Sequence, residues 1–246
     1  MTDRASRMCS VIAVLLVASG MVHLGVFLVD DRPWHGPVSW RKPFTFGLSF
    51  GLTLASVVWV TSYLQIRPHT RALLLTVFAA DCVLEVAGIT VQAWRNQPSH
   101  LNTTTSTNTI IAMLLAFGGL VLIVTLGAFA APALRGRTAG PPSMVLAVRA
   151  GFALLVVGLL SGAAMIARGS IARARGEDAA FIYSTAGFIK DFHGVTLHAV
   201  LVLPATAWLL ARSDRLSEST RTGVLRVATA SYVLAALIVL SVAIAR

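Results

Sequence analysis

The sequence is poor in charged residues, and this shortage indicates the class of the protein. Asp, Glu, Lys and Arg make up 12% of the 246 residues, whereas soluble domains carry about 25%. Hydrophobic residues make up 56%, and the mean hydropathy is +0.78. A water-facing surface needs more charged residues than this. The composition therefore predicts an integral membrane protein, which we expect to be a multi-pass protein of the plasma membrane.

Cysteine and acidic residues are also scarce. The two cysteines, Cys9 and Cys82, fall inside apolar runs and are typical of small buried side chains, so we expect no disulfide framework. Basic residues outnumber acidic ones by 20 to 10, which gives a net charge of +10. Because the basic residues flank apolar runs, the predicted anionic partner is the lipid bilayer and not nucleic acid.

Several signatures of known chemistry are missing. The chain has no P-loop, H-E-x-x-H or C-x-x-C motif, so nothing indicates an ATPase or a zinc protease. Its one G-x-S-x-G match, GLSFG at 47–51, lies inside an apolar run and not at a strand-to-helix turn, so the sequence does not favour a serine hydrolase. The only lysines, Lys42 and Lys190, lie at the ends of apolar runs. A retinal protein, which needs a Schiff-base lysine in a late helix, is therefore not indicated. Whether the protein is an enzyme stays open.

Apolar runs of the length that crosses a membrane, about 20 residues, recur along the whole chain. They predict one all-α domain, residues 1–246, built as a bundle of seven transmembrane helices. The predicted helices lie near 8–29, 43–66, 72–94, 109–134, 144–167, 192–211 and 227–245. We expect the first helix to be retained, since it is longer than the apolar part of a typical signal peptide and no small-x-small cleavage site follows it.

Basic residues and glycines add predictions about orientation and packing. With the N-terminus inside, the inner segments hold eleven Lys and Arg and the outer segments nine, so we predict a cytoplasmic N-terminus. Two GxxxG pairs, Gly47/Gly51 and Gly158/Gly162, indicate close approach of helices. We interpret them first as packing within one bundle, and as contacts of a homo-oligomer in the alternative.

The stretch "AADCVLEVAG" (79–88) places two acids inside the third apolar run. At about 100° per residue, Asp81, Glu85, Gly88 and Gln92 fall within about 60° of one another on a helix. An ionised aspartate at a helix centre costs about 2.5–3.5 kcal/mol in a membrane. The stripe should therefore face the bundle interior, and we expect at least one acid to be protonated at neutral pH.

The acids have a functional and a structural interpretation. Intramembrane acids mark functional sites more often than not, which favours a site that binds ions, protons or a small ligand. The structural alternative is a buried ion pair with Arg41, Lys42 or Arg149.

Histidines and polar loops cluster at the predicted outer end. Five of the six histidines belong there, namely His23, His35, His100, His193 and His198. The stretches "WHGPVSWRKP" (34–43) and "WRNQPSHLN" (94–102) add polar side chains beside them. We predict a vestibule above Asp81 and Glu85, formed by Gln92, Arg95, His100, Arg41 and His198.

Three stretches, "SWRKPFTFGLSFG", "QAWRNQPSHLN" and "HGVTLHAVLVLP", carry a family resemblance. The chain resembles a group of uncharacterised bacterial multi-pass membrane proteins with the pattern H-F-x-G-L-H-A-x-Q-x-L-P. Gly194 stands in place of the Phe, Thr196 of the Gly and Leu201 of the Gln. The resemblance implies a shared outer cluster and no particular chemistry.

Three functions remain as hypotheses. The first is a protein that binds and moves or senses a small ion or solute with proton coupling through Asp81 and Glu85. The second is a redox protein in which His23, His193 and His198 hold haem or copper, since imidazole suits both metals. The third is a non-catalytic accessory subunit whose polar residues only fix helix register.

Overall fold

The computed structural model describes residues 2–245 and shows an all-α bundle, as the composition predicts. Seven of its helices are long and apolar enough to cross a membrane, and α6 is a short connecting helix. The helices are α1 (Thr2–Phe27), α2 (Arg41–Val60), α3 (Pro68–Trp94), α4 (Ser106–Leu134), α5 (Pro142–Ala174), α6 (Ala179–Ala186), α7 (Lys190–Ala211) and α8 (Glu218–Ile244). The chain is therefore a polytopic membrane protein.

Every predicted run overlaps a helix, but the limits differ. The runs 8–29 and 43–66 continue past the ends of α1 at Phe27 and of α2 at Val60, and a short 3₁₀ helix (Thr61–Tyr63) follows α2. Other helices extend past their runs. The helix α5 continues to Ala174, and α8 begins at Glu218, whereas hydropathy placed these limits at 167 and 227. Long basic side chains and polar caps let a helix continue beyond the apolar layer. At the start of α8, Ser217 accepts a hydrogen bond from the Thr220 backbone nitrogen.

Five helices form a ring, and two pack against its outside. The ring runs through α2, α3, α4, α5 and α7, and the contact between α7 and α2 closes it. The helix α1 packs against α2 and α3, while α8 packs against α5 and α7. Only Leu225 and Ala236 of α8 are buried, so most of its surface is left for lipid.

The two predicted GxxxG pairs pack inside the chain. A Cβ added at Gly47 would lie 2.8 Å from the backbone nitrogen of Gly20 in α1, and one added at Gly51 would lie 2.7 Å from the Ala13 carbonyl oxygen. Gly158 lies in the same way against Leu197 of α7. These contacts favour the first interpretation, packing within one bundle.

The two ends of the bundle differ in their connections. Residues 28–40, 95–105 and 175–189 form what we call the loop-rich end, which is the predicted outer end. At the opposite end, the connection before α3 pairs with the connection after α4, since Leu64 and Thr138 form an antiparallel bridge. Arg71 of α3 donates hydrogen bonds there to Ser6 of α1 and to the Val58 carbonyl of α2.

The glycine contact between α1 and α2 gives a stability prediction. We expect Gly47→Ala to lower the free energy of unfolding by about 1–3 kcal/mol, because the new methyl meets backbone atoms of α1 that have no room to move. Gly127→Ala is the matched control, since a Cβ there meets nothing within 4 Å. Denaturant titration of both variants in detergent measures the difference, and equal stabilities would contradict the packing role.

Candidate intramembrane carboxyl site

Asp81 lies at the midpoint of α3, and Glu85 lies one turn nearer the loop-rich end. Their side chains are 5% and 3% exposed, so both are buried, as the helical spacing predicts. The sequence has no other acid between Asp31 and Glu177. The centre of the bundle therefore holds one isolated pair of carboxyl groups.

The carboxyl groups of both acids pack against Gly118 of α4. A Cβ added at Gly118 would lie 2.5 Å from Oε1 of Glu85 and 2.9 Å from Oδ1 of Asp81. Because both oxygens approach the same point, the two carboxyl groups lie side by side in the space that the missing side chain leaves. A glycine in the apolar α4 thus makes room for the pair.

The buried ion pair of the structural alternative is not formed. Arg149 is exposed on α5, Arg41 donates to the Tyr183 hydroxyl, and Lys42 donates to the Pro37 carbonyl. Within residues 2–245, Oδ2 of Asp81 is buried and has no hydrogen-bond partner. A buried polar oxygen without a partner costs free energy, so the site is not stabilised by internal pairing.

The predicted polar stripe faces α4 along its length, but an apolar contact interrupts it. Gly88 packs against Leu115, whose Cδ2 would lie 2.8 Å from a Cβ at Gly88. Leu115 is 2% exposed and stands between Glu85 and Gln92. The acids and the loop-rich end are therefore separated by a leucine plug.

Gln92 and Arg95 belong to a hydrogen-bond network that fastens the connection between α3 and α4. Both donate to Oδ1 of Asn108, over 3.1 and 3.0 Å respectively, and Arg95 also donates to Oε1 of Gln92. The Asn108 amide in turn donates to Gln97 and Thr104. These contacts give the polar stretch 94–102 a structural role.

His100 lies against Phe46 and next to Ser99, apart from the acids. Its ring centroid is 5.9 Å from that of Phe46, and its Nδ1 is 2.9 Å from the Ser99 hydroxyl. Burial, together with the charge of Lys42, lowers the pKa of His100 to about 4. The imidazole is therefore neutral at physiological pH.

The remaining predicted vestibule residues lie in two further places. Arg41 reaches Tyr183 of α6 over 2.7 Å. His198 of α7 contacts the Ser49 hydroxyl of α2 through Nε2 over 3.1 Å. The structure thus brings Asp81 and Glu85 together, groups Gln92 with Arg95, and places His100, Arg41 and His198 separately.

The three histidines proposed as metal ligands fit haem or copper poorly. His23 has its Nδ1 2.7 Å from the Ser19 carbonyl and accepts a hydrogen bond from the Trp94 indole at Nε2. His198 likewise has its Nδ1 2.6 Å from the Gly194 carbonyl, and Ser49 occupies its Nε2. A metal at either imidazole would have to displace one of these partners.

His193 does not complete such a site. Its Nδ1 lies 2.8 Å from the Gly158 carbonyl and 3.1 Å from the Ser161 hydroxyl, and its ring fills the space beside Gly162. In residues 2–245 there is no group of three His, Cys, Asp or Glu side chains that could share an ion. The imidazoles serve as contacts between helices.

Sequence reasoning missed the residues of α4 that shape the site. These are Asn108, which organises the polar network, Leu115, which forms the plug, and Gly118, which receives the acids. The adjacent glycines at 118–119 in the middle of an apolar run were a usable signal, since glycine allows close approach between helices. Nothing local marked Leu115.

Fold and site together define a seven-helix membrane protein with an isolated, buried carboxyl pair at mid-span. Compared with known protein families, curated proteins and solved structures, the chain matches none. The resemblance to a bacterial membrane protein group therefore stays a prediction from its sequence motifs.

The contact at Gly118 can be tested with its neighbour as the control. We expect Gly118→Ala to displace both carboxyl groups and to shift their infrared carboxyl bands, because the methyl would occupy the position of their oxygens. Gly119→Ala should leave these bands unchanged, since a Cβ there meets nothing within 4 Å. Identical spectra for the two variants would contradict the shared site.

The lowered pKa of His100 predicts a dependence of stability on pH. Between the ordinary histidine pKa of about 6.5 and about 4, the unfolded chain binds a proton that the folded chain does not. Stability should therefore fall as the pH drops through this window, by on the order of 2 kcal/mol. Unfolding titrations in detergent at several pH values should show a smaller loss for His100→Gln, and an unchanged loss would contradict the assignment.

Proposed function

We propose that Asp81 and Glu85 form an intramembrane site that exchanges protons or binds a small cation. Through this site the protein, in the plasma membrane, moves or senses a small ion or solute with proton coupling. The observation that carries the proposal is the convergence of both carboxyl groups on Gly118, with Oδ2 of Asp81 buried and without a hydrogen-bond partner in residues 2–245.

The energetics of burial support this function. An ionised carboxylate in the apolar layer is costly unless a cation compensates it or a proton neutralises it. Arg41, Lys42 and Arg149 do not provide the cation, because they lie elsewhere. The charge of the pair therefore depends on bound protons or ions, which is the property that a coupled transporter or sensor requires.

Packing around the pair supports an occluded state. Leu115 closes the side toward the loop-rich end, and Phe78, one turn away on the other side of Asp81, is 1% exposed. On this proposal, a proton or ion reaches the acids when α3 and α4 separate locally. Such opening of packed helices is a common way to expose a buried site for a limited time.

We expect Asp81→Asn and Glu85→Gln each to reduce proton movement at least tenfold, because an amide neither gains nor loses a net proton near neutral pH. The measurement uses the purified full chain in liposomes with an internal pH-sensitive dye, under an imposed pH gradient and with Na⁺ or K⁺ as the accompanying ion. Asp214→Asn is the matched control, since Asp214 is an exposed acid in the connection between α7 and α8.

If the protein senses an ion without transporting it, the flux assay gives no signal. Infrared difference spectra recorded against pH then provide the test. A carboxyl band that responds to pH in the unmodified chain and loses a component in each variant supports the site. Unchanged flux together with an unchanged band in both variants would rule the proposal out. It would favour the accessory-subunit hypothesis, in which these substitutions affect stability alone.

A further inference from the structure

The hydrogen bonds of His23, near the end of α1, fix which ring nitrogen carries the hydrogen. Nδ1 lies 2.7 Å from the Ser19 carbonyl oxygen, and Nε2 lies 3.2 Å from Nε1 of Trp94 in α3. A carbonyl oxygen only accepts a hydrogen bond, and an indole N–H only donates one. Nδ1 therefore carries the hydrogen and Nε2 presents a lone pair, so this arrangement requires a neutral imidazole.

The His23 ring is buried among aromatic side chains at the loop-rich end. It is 5% exposed and stacks on Trp40, with 5.9 Å between the ring centroids. Trp94 packs edge-on against both rings, at 6.3 Å from His23 and 4.8 Å from Trp40. Trp40 is the residue before α2, so this aromatic cluster of His23, Trp40 and Trp94 joins α1, the start of α2 and the end of α3.

Arg32 adds a fixed positive charge to the aromatic cluster. Its guanidinium carbon lies 3.9 Å from the centre of the Trp40 ring, and Nη1 donates to the Ala93 carbonyl of α3. Asp30 pairs with it, and the hydrogen bonds from Arg32 lower the pKa of Asp30 to about 2. Both charges therefore persist between about pH 5 and pH 8, the range in which histidine changes its charge.

The other charged groups of the neighbouring segments are directed elsewhere. In the connection between α1 and α2, Asp31 and His35 are exposed. The carboxyl pair of α3 packs against α4 at mid-span. His23 is therefore the member of the aromatic cluster whose charge changes in this pH range. The cations of α2 and α3 at this end have their own partners, namely Arg41 with Tyr183, Lys42 with the Pro37 carbonyl, and Arg95 with Gln92 and Asn108.

We propose that His23 is a pH-sensitive latch, which holds the end of α3 against α1 only while its imidazole is neutral. A proton on Nε2 would point at the indole N–H of Trp94, and two donors do not form a hydrogen bond. It would also bring a second positive charge to the Trp40 ring that Arg32 already contacts. Protonation therefore releases Trp94 and loosens the contact between α1 and α3. The latch does not involve the carboxyl pair, so it goes beyond the proposed function.

His198 is a matched control, because its hydrogen bonds look similar but tolerate a proton. Its Nδ1 lies 2.6 Å from the Gly194 carbonyl oxygen, and its Nε2 lies 3.1 Å from the Ser49 hydroxyl. A hydroxyl both donates and accepts, so Ser49 rotates its hydrogen and accepts from a protonated His198. The indole partner, which cannot accept, is what makes His23 sensitive to pH.

The experiment follows the indole N–H of Trp94 by NMR in the full chain, in detergent and with ¹⁵N-labelled tryptophan. The chain has five tryptophans, and Trp94→Phe identifies the Trp94 signal. We expect this signal to shift toward that of a water-exposed indole as the pH falls from about 8 to about 5. The shift should be absent in His23→Gln, because a neutral amide accepts from the indole and donates to the Ser19 carbonyl throughout this range.

Hydrogen exchange measures the release of the helix end. At about pH 5, backbone amides of residues 89–96 should exchange about threefold or more faster in the unmodified chain than in His23→Gln, which corresponds to one lost hydrogen bond. At about pH 8 the two proteins should exchange alike. Comparison at equal pH removes the intrinsic effect of pH on exchange. Trp94→Phe lacks the same bond from the other side and should exchange faster than His23→Gln at both pH values.

A Trp94 signal that does not move with pH, or that still moves in His23→Gln, overturns the proposal. Equal exchange of the unmodified chain and His23→Gln at acid pH also overturns it, because the helix end would then not be released. The shift should persist in His198→Gln, and its loss there would contradict the role of the indole partner. It should also persist in His100→Gln and Asp81→Asn, so this test stands apart from those of His100 and of the carboxyl pair.

Discussion

Close contact between helix backbones at glycine is the interaction on which this bundle depends. In lipid, helices gain little from hiding apolar surface, so their association rests on van der Waals contact and hydrogen bonds at short range. Gly47 brings α2 against α1, and Gly158 brings α5 against α7. The same device at Gly118 accommodates carboxyl groups instead of a backbone. The candidate site is thus a variation of the packing that holds the rest of the protein together.

Hydrogen bonds at the two ends of the bundle complement these contacts in the middle. Asn108 joins the polar side chains between α3 and α4, and Arg71 joins α3 to its neighbours at the opposite end. In both places a polar residue lowers the local hydropathy of the chain, and its side chain forms hydrogen bonds with backbone or side-chain groups of the neighbouring segments. Asp81 and Glu85, the two acids at mid-span, take part in neither network.

Features that depend on residues close in sequence were predicted, whereas features that depend on tertiary contacts between helices were missed. The seven crossings follow from local hydropathy, and the common face of Asp81, Glu85 and Gln92 follows from the helical period. Which helix covers that face is a matter of tertiary packing, so Gly118 and Leu115 could not be assigned. The vestibule prediction grouped residues by membrane depth, whereas the structure separates Arg41 and His198 by their individual partners.

The fastening of α3 and α4 at both ends has a mechanical consequence. The network at Asn108 ties them at the loop-rich end, and the bridge between Leu64 and Thr138 ties their other ends. Two helices that are joined to each other at both ends separate by bending in the middle and not by rotating apart about one end. Glycine lowers the bending stiffness of a helix, and Gly118 with Gly119 lies near the middle of α4. A flexible part of α4 therefore coincides with the position of the acids.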